Sequence, residues 1–405
     1  MEIKIIKGTH QIGGCITTIK TSTTKIIVDF GEDLSDEDKI QFDREKIMHE
    51  IEDADAVFIT HSHLDHAGLI NLVPSNIPIY IEKKAKIILE IGSDFGVNAS
   101  LPENITTFEL TKNRKPTPIT VKDINVTPYI VDHSSFNSCM YLIEAEGKRI
   151  LHTGDYRNHG RKGKIFSSIL DKIGHVDCLI TEGTTLTRPN QTKYKTEEEL
   201  EQEAKELFAK YDQVFVLSPS TNLDRLVTFY KARGNKKVVI DTFTSAITKA
   251  IDFPVSTKYK DVLQWNPNKY YKIKDEAFKE KYMSNNLDYG FLPNYVMFIK
   301  QSMLPDLKKL KKEGMITNAC LIYSMWKGYI DKEEKLSKML DEIHKLGIDL
   351  YELHTSGHAD SDAMKVMNTK LRPQKTIIIH TEINQKTVSV FDNVQNIVDG
   401  EYIRI

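Results

Sequence analysis

The chain has 405 residues, room for two or three domains at ~150 residues each. Hydrophobic residues make up 40%, aromatics 9% and charged residues 28%, which excludes a collagen, a coiled coil and a mainly disordered chain. Against 55 Lys and Arg stand 57 Asp and Glu, a net charge of −2, so a polyanionic partner must meet a local basic surface or a metal site.

Met1–Ile6 reads as a strand with no long apolar run, so no signal peptide is expected. The longest uncharged stretch, about His66 to Ile81, carries Asn71, Pro74, Ser75, Asn76 and Pro78. It is too short and too broken for a spanning helix, so no membrane partner is expected. Cys15, Cys139, Cys178 and Cys320 are scattered and form no C-x-x-C pair. They read as reduced core thiols of a cytoplasmic protein.

Up to residue 183 the pattern is short β-branched runs between polar turns. Lys25–Asp29, Ala56–Thr60, Ile77–Ile81, Cys139–Ile143, Lys148–His152 and Asp177–Thr181 read as strands. Helices are expected around Lys39–Glu52, Lys83–Phe95 and Lys164–Ile173. This is an α/β layered domain. Arg188–Gln191 is a breaker, and Thr196 with Glu199 forms a capping box. Strand and helix then alternate: Val214–Leu217, Leu223–Arg233, Lys237–Asp241, Phe243–Ile251, Ala319–Tyr323 and Lys332–Leu346. That alternation predicts a parallel sheet. Thr257–Met283, rich in Lys and Tyr, reads as an irregular excursion. The first texture returns with strands Leu350–His354 and Thr376–His380 around a helix near Asp360–Leu371. The expected domains are 1–190, an insert 191–349, and 350–405 completing the first.

The chemistry concentrates at Thr60-His61-Ser62-His63-Leu64-Asp65-His66, directly after a hydrophobic strand. His61 and His63 are two apart, so on extended backbone both rings leave the same side. Asp65 and His66 begin the next turn and can close on the same point. Imidazole and carboxylate are the ligands of zinc and similar ions. Asp132-His133-Ser134 and Thr153-Gly154-Asp155 each add one such side chain at a strand end.

These residues resemble the metallo-β-lactamase superfamily, an αββα sandwich with two metals at its edge. The resemblance implies that His61, His63 and His133 hold one metal, that Asp65 and His66 hold the other, and that Asp155 bridges. Asp29 matches the superfamily's first motif, and the resemblance makes it an acceptor behind a ligand histidine. Two metals ~3.5–4 Å apart activate water and neutralise an anionic oxygen. That suits a phosphodiester or an acyl bond alike.

Three later segments narrow the substrate. Glu182 in Thr181-Glu182-Gly183-Thr184, His358 in His354-Thr355-Ser356-Gly357-His358-Ala359, and His380 after Ile377-Ile378-Ile379 flank the insert. They resemble motifs A, B and C of the β-CASP nucleases, nearest to ribonuclease J. The resemblance implies that His380 completes the second metal's ligands. It makes His358 the general acid and Glu182 the carboxylate that raises its pKa. Asp65, Glu182 and His358 are thus the catalytic candidates. Histidine at motif C accompanies RNA-processing members of the group. Glu182 stands where ribonuclease J usually has Asp, and only 25 residues follow His380, so the separate C-terminal domain of ribonuclease J is expected to be absent.

Ser220, Asn222 and Ser356 are candidate donors to a terminal 5′-phosphate, or else helix caps. Basic residues Lys231, Arg233, Lys236, Lys237, Lys308, Lys309, Lys311 and Lys312 are the candidate RNA track. The expectation is a metal-dependent ribonuclease acting on single-stranded RNA by a two-metal mechanism, 5′-exonucleolytic with or without endonuclease activity. Its cofactors are two divalent ions, Zn2+ first and Mn2+ as the substitute. A DNA nuclease with the same site and an acyl or thioester hydrolase are the alternatives. RNA is the expected partner, and a homo-oligomer stays open.

Overall fold

The computed structural model describes residues 1–34, 44–110, 116–188, 193–284, 293–383 and 388–405. The chain divides into two units, residues 1–194 with 357–405, and residues 195–356. Among the described residues no helix is long and apolar enough to cross a membrane.

The first unit stacks two sheets. One has seven strands, in the order Tyr402–Arg404, Glu2–Lys7, Ile16–Lys20, Lys25–Val28, Ala56–Ile59, Ile79–Glu82 and Ile105–Phe108. The other has six: Lys375–Ile379, Cys178–Glu182, Lys148–His152, Cys139–Ala145, Ile124–Ile130 and Ile119–Val121. The strands alternate by twos, so each sends one set of side chains inward and one outward. Ile3, Ile5, Ile26, Val28 and Phe58 meet Val126, Tyr141, Ile143, Ile150 and Ile180 between the sheets. The outward residues Val57, Ile59, Ile79 and Ile81 pack on Ile47, Ile51, Ala85 and Leu89 of helices Arg44–Ile51 and Lys83–Asp94. On the other side, Met140, Leu142, Leu151 and Leu179 meet helices Phe166–Ile173 and Ser361–Leu371. The result is four layers, α on β on β on α. Of the helix expected over Lys39–Glu52, only Arg44–Ile51 falls within the described residues as helix.

The second unit is one sheet of six strands, every neighbouring pair parallel. Its order is Val262–Trp265, Lys237–Asp241, Tyr295–Ile299, Gln213–Leu217, Ala319–Tyr323 and Asp349–Glu352. The capping box on helix Glu197–Lys210 is present, with Thr196 and Glu199 bonded reciprocally. Inside the unit Arg225 and Glu197 are fully buried and paired at 3.2 Å. Arg225 also donates to the carbonyls of Ser324 and Thr355.

Two sequence readings change here. The strand expected to reopen the first unit at Leu350 pairs instead with Ala319–Tyr323, so it is an edge of the second unit's sheet. The segment 257–283 is not irregular: it contains the edge strand Val262–Trp265 and the helices Asn268–Tyr271 and Glu276–Tyr282. The helix expected over Lys332–Leu346 is present as Glu334–Lys345, preceded by the short helix Gly328–Lys332.

Candidate metal centre

In the first unit Ala56–Ile59 runs parallel to Lys25–Val28, and Lys148–His152, Cys178–Glu182 and Lys375–Ile379 run parallel to one another. Their carboxyl ends deliver His61, Asp29, Asp155, Glu182 and His380. The strand Ile124–Ile130 delivers His133 in the same sense, because it pairs antiparallel with Cys139–Ala145, which is itself antiparallel to Lys148–His152. Gly31 lets the loop after Asp29 lie against the histidine-rich turn: a Cβ there would fall 1.8 Å from the Asp65 carbonyl oxygen. Asp29 and His380 hold positive φ, 62° and 52°, a conformation the short aspartate tolerates better than most residues.

Three groups of ligand-type atoms share Asp155: His61, His63, His133 with Asp155; Asp65, His66, His380 with Asp155; and Glu182, His358, His380 with Asp155. Asp155 Oδ2 lies 3.8 Å from His61 Nε2, 3.7 Å from His133 Nε2, 3.3 Å from His66 Nε2 and 3.8 Å from His380 Nε2. His380 Nε2 lies 3.0 Å from Asp65 Oδ2. His61, His66, His133, Asp155 and His380 are each at most 1% exposed.

The outer nitrogens of these rings are held by acceptors. The Asp29 carboxylate accepts from Thr60 N at 2.8 Å, Thr60 Oγ1 at 3.0 Å and His66 Nδ1 at 2.7 Å. Thr60 Oγ1, its proton given to Asp29, accepts from His61 Nδ1 at 2.9 Å. The Gly357 carbonyl accepts from His133 Nδ1 at 2.7 Å. In each case Nδ1 carries a proton, which leaves Nε2 as the nitrogen that faces inward.

The charges divide the site. Burial keeps the imidazoles of His61, His63 and His133 below the ordinary histidine value, and around His61 the neighbouring rings push the same way. Burial opposes charge on His66 too, but the carboxylates of Asp155, Asp29 and Asp65 outweigh it and lift His66 well above that value. Burial would raise Asp155, yet His380 and His66 hold it well below the usual carboxylate range. His61 Nε2, His66 Nε2 and both oxygens of Asp155 are buried with no hydrogen-bond partner among the described residues. Buried polar atoms are normally satisfied, so orphans of this kind need an explanation. Inward lone pairs beside clustered carboxylates fit divalent cations with mixed nitrogen and oxygen ligands.

Next to this cluster, His358 Nδ1 lies 3.0 Å from Glu182 Oε2 and 3.6 Å from Asp155 Oδ2. Its side chain is 22% exposed while that of Glu182 is fully buried. Glu182 Oε1 also accepts from the Tyr156 and Ala359 amides. Burial disfavours the charged imidazole, but Glu182 and Asp155 prevail and raise His358 above the ordinary value.

The hydroxyls of Thr60 and Thr184, to which the motifs assign no role, join carboxylates to histidines. Threonine next to a ligand motif was the available signal.

Ser220, Asn222 and Ser356 lie in the second unit. The Asn222 carbonyl caps helix Leu223–Ala232 through Arg225 N, and Ser220 and Asn222 line a small recess with Ser218, Asp241 and Lys300. Ser356 is buried. Part of the expected basic track is engaged within its own unit: Arg233 and Lys237 pair with Asp261, Lys236 holds main-chain carbonyls, and Lys308 pairs with Glu342.

Residues 24–209 match the beta-lactamase superfamily domain. That match spans a little under half of the chain. Its relatives include Integrator complex subunit 11 of Gallus gallus, 22% identical over 81% of this chain and 59% of the relative. Ribonuclease J of Helicobacter pylori is 21% identical over 95% of this chain and 56% of the relative. The probable RNase MJ4 of Methanocaldococcus jannaschii is 26% identical over 45% of each. The chain thus spans little more than half the length of the first two relatives. A crystal structure of a protein of unknown function from Enterococcus faecalis V583 superposes with a TM-score of 0.75 at 20% identity, covering 99% of both chains. The fold is consistent with a metallo-β-lactamase sandwich that carries an inserted parallel sheet.

Proposed function

We propose that this protein is a metal-dependent ribonuclease that hydrolyses phosphodiester bonds of single-stranded RNA with two divalent ions, zinc in the first instance. The observation that carries the reading is the orphaned set His61 Nε2, His66 Nε2 and Asp155 Oδ1 and Oδ2, beside a partly exposed His358 backed by Glu182. His61, His63 and His133 would hold one ion, Asp65, His66 and His380 the other, and Asp155 both. Bound there, such a pair polarises a phosphoryl oxygen and makes water acidic enough to attack near neutral pH.

The chain's own groups supply the rest. Asp29, Thr60 and the Gly357 carbonyl fix the protons of His66, His61 and His133 on Nδ1. Glu182 accepts from His358 Nδ1 and favours the imidazolium. His358 then has Nε2–H to give to the departing ribose oxygen, as a general acid should. The choice of RNA follows the similarity to Ribonuclease J and to the probable RNase MJ4. Ser220, Asn222 and Ser356 are the proposed donors to a 5′-phosphate, which favours degradation from the 5′ end.

The test combines metal analysis with labelled substrates. Protein purified without chelator should carry about two transition-metal ions and cut single-stranded RNA, faster with a 5′-monophosphate than with a 5′-hydroxyl. Activity surviving complete metal removal would end the reading. Equal turnover of matched DNA would move the protein to the DNA nucleases, and rapid cutting of circular RNA would remove the 5′-exonuclease part.

A further inference from the structure

Thr184 follows the strand Cys178–Glu182 by two residues and is 2% exposed. Its Oγ1 lies 2.6 Å from Glu182 Oε2, 2.7 Å from His380 Nδ1 and 3.2 Å from His358 Nδ1. One hydroxyl thus touches the carboxylate behind the proton donor, the proton donor itself and a residue of the acidic cluster.

A hydroxyl has one proton and two acceptor lone pairs, and an ionised carboxylate only accepts. The Thr184 proton therefore goes to Glu182, the nearest of the three. Both lone pairs then receive N–H groups, from His380 Nδ1 and His358 Nδ1. The reverse arrangement, with Thr184 donating to His380, would set two oxygen lone pairs face to face at 2.6 Å. With Thr184 accepting from Nδ1, His380 keeps a proton on Nδ1, and the proton that Nε2 shares with Asp65 Oδ2 at 3.0 Å is the one a cation displaces. The network thus makes Nε2 the nitrogen left for a cation.

We propose that Thr184 is a positioning residue that sets the His380 tautomer for metal binding and ties the His358–Glu182 pair to the same ion. This deepens the metal-dependent reading and rests on it. Glu182 dictates the hydroxyl's direction, the hydroxyl dictates the proton on His380, and that proton decides whether His380 can bind a cation. The Asp29–Thr60–His61 chain has the same logic but does not include His358.

Thr184→Val keeps the side chain's shape and removes the hydroxyl. In a zinc titration against a competing chelator, wild type should show two tight ions. Thr184→Val should keep the one assigned to His61, His63 and His133 and bind the other about 10–100-fold more weakly, the usual effect of losing a partner behind a ligand. Thr184→Ser, which restores the hydroxyl, should restore the affinity. Two wild-type affinities in Thr184→Val, or a Thr184→Ser as weak as Thr184→Val, would overturn the proposal. A second measurement needs no variant: 15N NMR of metal-free wild type should show His380 Nδ1 carrying a proton, and an Nδ1 without one would overturn it as well. Both readouts are binding and protonation rather than turnover. A protein that binds two zinc ions but leaves RNA intact would refute the ribonuclease reading alone.

Discussion

Replacing Asp29 by Asn tests how the carboxylate organises the cluster. Asn adopts the positive φ of this position, 62°, almost as readily as Asp, so backbone strain is left nearly constant and only the acceptor changes. One oxygen can still accept from Thr60 N. The amide NH2 then replaces the oxygen that faced Thr60 Oγ1 and His66 Nδ1 at 3.0 and 2.7 Å. Flipping the amide does not help, because NH2 would then meet the Thr60 N–H at 2.8 Å. To avoid a donor–donor clash, Thr60 must turn its proton to His61 Nδ1, and His66 must lose its Nδ1 proton. Both rings then carry their protons on Nε2, the atoms that point inward. Each group of ligands loses one ready lone pair, so both affinities should fall about 10–100-fold, or about 1.4–2.8 kcal/mol per ion. A zinc titration against a chelator of known affinity reads the two steps, with thermal melting as the control for folding. Wild-type affinity at both steps would refute the reasoning, and loss at only the step assigned to His66 would show that Thr60 does not transmit the effect to His61.

Two further outcomes follow. His358→Ala should retain the full metal complement yet lose ~10²–10⁴-fold in the rate of RNA hydrolysis, the scale of a missing general acid; a lost ion in that variant would place His358 among the ligands. Asp241 is buried at the start of helix Thr242–Ala250, which it caps through Thr244. Burial raises its pKa, but Lys300 and Thr244 more than offset this and leave it depressed. A carboxylate depressed on folding adds stability above its unfolded pKa of ~3.9 and loses it as the pH falls through the lower folded value. Asp241→Asn should therefore melt lower than wild type at neutral pH, with the gap closing in acid; a gap that stays constant with pH would contradict the charge pairing with Lys300.

What the sequence made legible were features with a strong local signature. Period-two strands such as Cys139–Ala145, with one face toward each neighbouring layer, and the capping box at Thr196 announce themselves within a few residues. So did His61, His63, Asp65 and His66, packed into six positions. The strand Tyr295–Ile299 is five apolar residues in a row and carries no strand signature of its own, because a fully buried parallel strand has no alternation to detect. Leu350 was placed in the wrong sheet because a strand's sequence does not name its partner; only the pairing with Ala319–Tyr323 does. Thr184 escaped for a related reason. A hydroxyl gains its importance from what lies within 3 Å, and His380 is 196 residues away in the chain.

The wide spacing of the ligands has a consequence for how the protein is made. His61, His63, His133 and Asp155 all lie in the first two-fifths of the chain, whereas His380 arrives on Lys375–Ile379, which pairs with Cys178–Glu182 only after the whole second unit has been threaded between them. During synthesis one ion's ligands can therefore assemble long before the other's. On the proposed reading, the nascent chain would lack His380 and the His358 proton donor until the second unit has been threaded. Competence for hydrolysis would then appear in one late step, when that last strand docks.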